Sequence, residues 1–217
     1  MDRRALRAAR RADASGSGPT LGEREPSRNP GATGAFALFG EVLMTGLLVT
    51  IAGLAIVTLP AALAAGIRHM RRYAAAEGSP YALFWQDVRK ALPGGLVVGV
   101  AGVALTLLLL LDIDLANSGF LPGGAVIGVV GWAGLVAGAV ALLTAAAAWS
   151  PDTGWRAAFR AVPAAVGADL TGALFLAATA VFVGVVTWML VPLIIPALGS
   201  AVLAAVAIPG RRRRGAH

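Results

Sequence analysis

Few side chains in this chain could do chemistry. Cysteine is absent, which removes thiol nucleophiles, thiolate metal sites and disulfides together. The two histidines are His69, inside the cluster Arg68-His69-Met70-Arg71-Arg72, and His217 at the C-terminus. Neither has the second histidine or carboxylate at i+3 or i+4 that a helical metal site needs, so both read as solvated residues, His69 at a membrane interface. Asp112, Asp114 and Asn117 invite a calcium-loop reading, but the fifth position from Asp112 is Ala116, the sixth Asn117 and the twelfth Gly123. A calcium loop needs an oxygen ligand, a glycine and a glutamate there, and the expectation is an exposed turn. No Walker-type string and no Gly-x-Ser-x-Gly elbow occurs, leaving nucleotide hydrolysis and serine-hydrolase chemistry without residues. The reading is non-enzymatic: no catalytic, cofactor-binding or metal-ligating residue is assigned, and no cofactor.

Two acids remain. Glu41 and Asp169 lie near long apolar runs, and ionisable groups inside a membrane are functional candidates by default. Each stands within a turn or two of the end of an expected span, where a carboxylate reaches water or headgroups. Interface anchoring is the expected role, with proton or substrate handling as the alternative.

The elements that position these residues follow from composition. Apolar side chains make up 58% of the 217 residues and charged ones only 13%, against about 25% charged in soluble domains. Residues 36–208 hold 14 charged side chains, clustered between charge-free runs at 42–67, 91–111, 115–151 and 170–210. Every run exceeds the ~18 residues that argue for a membrane span. Soluble, disordered, coiled-coil and nucleic-acid-binding classes are excluded, despite a pI near 11.4. The fold class is all-α, a polytopic helical membrane protein. Seventeen of the 18 basic residues are arginine and alanine is abundant, a composition associated with GC-rich bacterial genomes.

Residues 1–35 mix seven arginines with Gly, Ser, Pro and acids and are expected to be a disordered tail. A signal-peptide core has about 7–15 apolar residues, so the longer run at 42–67 reads as an uncleaved first span. Five spans are expected, at 38–63, 94–114, 122–148, 165–188 and 193–209, within a membrane domain of 36–209. The last two come from one run, because 170–210 as a single helix would measure about 60 Å, twice the hydrocarbon core. Pro192 and Pro196 place its reversal near 189–193. A basic tail, 210–217, completes the chain.

The connections 68–93 and 149–164 and the C-terminal tail carry the remaining basic residues. With five spans they share one side, which the positive-inside rule makes cytoplasmic. That puts the N-terminus outside with its seven arginines, against the rule. A sixth span would remove the conflict, but 36–67 is too short to cross twice.

Two connections look alike. Ser79-Pro80 opens a segment with Tyr81, Phe84, Trp85, Val88 and Leu92 on one face, and Gln86, Asp87, Arg89 and Lys90 elsewhere; Pro93-Gly94 ends it. Ser150-Pro151 opens another with Trp155, Phe159 and Val162 on one face and Arg156 and Arg160 on another, closing at Pro163. Both read as interfacial amphipathic helices. Their likeness suggests a tandem parallel repeat of span, interfacial helix and span. Glycine stripes at 95, 99 and 102 and at 124, 128, 131, 134 and 138 mark helix packing, or the seam of a homodimer. The arginine clusters attract anionic headgroups or form a docking face for a cytoplasmic partner.

The stretch Thr58–Gly95 resembles the YesL-type family of bacterial integral membrane proteins, whose function is unknown. The likeness rests on Leu59-Pro60, Ala64-Ala65, Arg68–Arg72, Phe84-Trp85 and Arg89-Lys90 in that order, followed by a span. It implies a plasma-membrane location and an accessory role beside carbohydrate ABC importers, with importer subunits as partners; it carries over no site residues. A small transporter built from two parallel repeats is the alternative function.

Overall fold

The computed structural model describes residues 34–118 and 123–212, with side chains up to residue 208. The expected disordered tail 1–35, His217 and most of the basic C-terminal tail fall almost wholly outside them. The described chain is helical: α1 (Ala35–Ala52), α2 (Leu59–Ala74), α3 (Tyr81–Asn117), α4 (Gly124–Ala148), α5 (Gly154–Ala168), α6 (Leu170–Met189), a 3-10 turn at Val191–Leu193, and α7 (Ile194–Arg212). Five segments are long and apolar enough to cross a membrane: α1, α3, α4, α6 and Val191–Ile208. This is a polytopic helical membrane protein. The α4 bounds and the reversal before α7 agree with expectation, while the fourth span begins at Leu170 rather than 165.

The first expected span, 38–63, is corrected. Helix α1 stops at Ala52, a six-residue turn follows, and the chain starts back as α2. The turn is closed by the Thr58 hydroxyl donating to the Ala52 carbonyl at 2.6 Å, with Ile56 at φ 57°. Pro60 opens the second helix instead of ending the first, since a proline near a helix start costs no intrahelical hydrogen bond. The two helices run antiparallel: Gly53 faces Leu59, Gly66 faces Thr45 and Val49, and Glu41 meets His69.

Helix α2 is the centre of the bundle. Ala61, Ala62, Ala64, Ala65, Ile67, His69 and Met70 are all fully buried, packed by α1, α3, α4 and α7. Alanines make this possible, since small side chains let helix axes approach where lipid offers no hydrophobic drive for association. Surrounded by protein, α2 can carry polar residues that a lipid-facing helix could not.

Helix direction follows from the tightest contacts. A Cβ on Gly46 would strike the Ile195 carbonyl, and one on Gly199 the Val42 carbonyl, so α1 lies antiparallel to α7. Five alternating spans would make those two parallel. With α2 as the return, the two described ends, residues 34 and 212, lie at one end of the bundle, where five alternating spans would separate them.

The two amphipathic segments differ. Helix α5 is a separate helix, with Trp155 and Ala158 buried and Arg156 and Arg160 exposed; it runs through Pro163 to Ala168, not ending at the proline. The Ser150 hydroxyl accepts from the Thr153 amide at 3.2 Å in the turn before it. The segment at 79–92, however, is the first part of α3, one helix of 37 residues that continues through Pro93, about 55 Å long. Pro80 is its N-cap, and Ser79 makes no capping bond. Two residues before Pro93, the Trp155 indole donates to the Ala91 carbonyl at 2.9 Å, which ties α5 to α3 beside the proline. The repeat is thus imperfect: α2 has no counterpart before α5, and one amphipathic segment is fused to its span where the other is not. Trp155→Phe, which keeps most of the ring packing and deletes that bond, should cost about 1 kcal/mol, measured by unfolding in mixed micelles.

Most of the glycine stripes serve this packing. Gly95 meets Ala61, Gly131 meets Ile113 and Gly134 meets Leu109.

Candidate functional site

Near one end of the bundle, α1, α2 and α3 gather five ionisable side chains. Glu41 comes from the second turn of α1, Arg68, His69 and Arg72 from the last half of α2, and Asp87 from the second turn of α3. Since α2 is antiparallel to both neighbours, its C-terminal half is brought against the N-terminal turns of α1 and α3.

His69 is 0% exposed, which corrects its reading as a solvated interface residue. Its Nε2 lies 2.6 Å from Glu41 Oε1, a distance that requires a proton between them, carried by the imidazole or by the carboxyl. The ring stacks on Tyr81 at 5.8 Å and meets the edge of Phe84 at 6.3 Å. Glu41, expected at the opposite face from the basic cluster, is therefore its direct partner. It also shares an end of the bundle with Asp169, which caps α6 by accepting from the Gly172 amide at 2.9 Å.

Asp87, expected away from the buried aromatic face, is itself buried, 5% exposed. Arg72 Nη1 donates to its Oδ2 at 2.9 Å, and Arg68 Nε lies 3.2 Å from the same oxygen. The Arg68 contact has the distance of an ion pair without hydrogen-bond alignment, so it acts through charge. Arg68 also lies over the Trp149 ring at 5.9 Å, within cation–π range. The pull of the two arginines accounts for the orientation of α3. Its buried face is Phe84, Asp87, Val88 and Ala91, about 60° round the wheel, at 100° per residue, from the expected aromatic face. Tyr81 and Trp85 are left exposed, available to a bilayer interface, where amphipathic rings are favoured.

Several polar atoms here have no protein partner. Thr45 Oγ1, His69 Nδ1, and Nε and Nη2 of Arg72 are buried without a hydrogen bond. Thr45 stands one turn from Glu41 on α1, so donors and acceptors remain unused on both the imidazole and the guanidinium side. Asp112 and Asp114 lie far from this cluster, in the last two turns of α3 rather than in a loop. Among the described residues no group of three His, Cys, Asp or Glu side chains gathers as a metal site.

One signal for the cluster was available in the chain. Gly53, followed six residues later by Leu59-Pro60 and then a run of alanines, is the pattern of a tight reversal into a buried helix.

Comparisons with protein-family models, with curated proteins and with solved structures give no match.

Proposed function

We propose that this is a non-enzymatic, multi-pass protein of the bacterial plasma membrane that assists other membrane proteins, carbohydrate ABC import being the context that the likeness to the YesL-type family implies. The observation that carries this reading is that the ionisable side chains within the bundle are turned on one another: Glu41 on His69, and Asp87 on Arg68 and Arg72. A carrier of polar solutes needs such groups aimed at a path, whereas a helical scaffold needs them paired. The cytoplasm is the side we assign to both ends. The arginines of the N-terminal tail, of Arg68–Arg72, of α5 and of the C-terminal tail then share one side, which satisfies the positive-inside rule throughout. Reporter fusions at residues 35 and 217 should both report cytoplasmic; opposite sides would reject the hairpin topology.

The Glu41–His69 pair favours a second reading, a small proton-coupled transporter, because a histidine–carboxylate pair in a low-dielectric layer is the usual material of a proton relay. Affinity capture of the full chain from its native membrane decides between them. Importer subunits among the captured proteins support the accessory reading, and solute or proton flux by purified protein alone in liposomes supports the transporter.

A further inference from the structure

Outside the polar cluster, α3 and α4 form the walls of an open groove of about 670 Å³. Val97, Gly102 and Leu105 of α3 face Gly138 and Leu142 of α4 across it, and Phe159 of α5 lines it as well. Phe159 stands one turn beyond Trp155, which touches Gly94, so it marks the end nearest the polar cluster. Thr106 is the one polar side chain among the lining residues. The space is open and not merely loose packing: a Cβ on Gly102 or Gly138 would meet no atom within 4 Å.

Length and charge decide what fits. Along α3 the groove runs from Val97 to Leu109, about 18 Å at 1.5 Å per residue. That is close to one leaflet of a hydrocarbon core of ~30 Å, and short of what a crossing helix would cover. Beside its Phe159 end, Arg156 and Arg160 are exposed, and neither has an ion-pair partner among the described residues. On the α5 wheel they lie about 60° and 100° to the same side of Phe159. An apolar slot one leaflet deep, bordered by two uncompensated cations, matches a lipid whose headgroup is net negative; a zwitterionic headgroup brings its own cation.

We propose that this groove binds an anionic phospholipid, with one acyl chain lying along α3 and α4 and the phosphate held by Arg156 and Arg160.

The test uses the full chain in mild detergent, with phosphatidylglycerol and phosphatidylcholine of identical acyl chains, read by native mass spectrometry and by thermal unfolding. Wild type should retain phosphatidylglycerol with a preference on the order of tenfold and be stabilised by it. Gly138→Leu places its Cβ where no atom lies within 4 Å and its side chain in the groove, so it should abolish retention while leaving the lipid-free melting temperature unchanged or raised. The Arg156→Gln, Arg160→Gln double variant should bind both lipids alike. Equal retention of the two lipids by wild type, or undiminished retention by Gly138→Leu, would overturn the proposal. So would a lipid-free wild-type dimer that Gly138→Leu dissociates, because the occupant would then be a second copy of this chain.

Discussion

Asp87→Ala should destabilise the protein by about 3–5 kcal/mol, the cost of removing one partner from a buried ion pair and leaving the others uncompensated. The reason is local and electrostatic. Arg68 and Arg72 both lean on Asp87 Oδ2, so deleting the carboxylate leaves two like charges on adjacent turns of α2, each with buried nitrogen that makes no hydrogen bond. Arg68 is about a third exposed and water will relieve part of its cost, which places the burden on Arg72. Asp87→Asn keeps an acceptor and loses the charge, so it should fall between wild type and alanine. Asp114→Asn, on an exposed position of the same helix, should be nearly silent. Reversible unfolding in mixed micelles measures all three. Replacing Asp87, Arg68 and Arg72 together with apolar residues of similar size should recover much of the loss, because a wholly apolar core avoids the desolvation of every ion. If Asp87→Ala and Asp114→Asn behaved alike, α3 would not be held to α2 by this cluster.

Gly46→Ala should be destabilising although alanine is the better helix former. A glycine-to-alanine change in an exposed helix interior gains up to about 1 kcal/mol, and Gly40, whose Cβ would meet nothing within 4 Å, should show that gain. At Gly46 the new methyl would strike the backbone carbonyl of Ile195 and come within 3.0 Å of the Gly199 amide nitrogen. Backbone on a neighbouring helix cannot rotate aside as a side chain can, so α1 must move off α7. Overpacking of this kind costs about 1–3 kcal/mol, and Gly46→Leu should exceed that range. The pair of variants gives opposite signs on one helix, read by the same unfolding assay and by limited proteolysis in the turn after α1. A stabilising Gly46→Ala would mean that α1 and α7 do not pack at this register.

The spans were legible because length and apolarity are local properties. A charge-free run longer than the bilayer is thick announces itself without reference to the rest of the chain, which is why α4, the reversal at 189–193 and the amphipathic character of α5 could be read from the chain alone. Helix wheels are nearly as local, yet the α3 wheel was turned about 60° from expectation. Wheel arguments rank Asp87 as polar and send it outward; its inward turn depends on two arginines of α2 that sit 15 and 19 residues earlier in the chain.

The return helix α2 exposes the limit most clearly. By composition it fails as a span, carrying His69 and three arginines among its 16 residues, and it was merged with α1 on one side and a solvated cluster on the other. What admits it to the interior is tertiary: four neighbouring helices cover it, and Glu41 and Asp87 meet its polar groups there. Sequence by itself therefore determined that this is a helical membrane protein and where its lipid-facing helices run, since lipid tests each helix on its own. The tertiary structure alone decided that α1 and α2 form a hairpin, that both described ends share one end of the bundle, and that His69 is buried. Burying a charge or a polar ring is costly or acceptable according to the partner it finds, and that partner is a property of the folded arrangement.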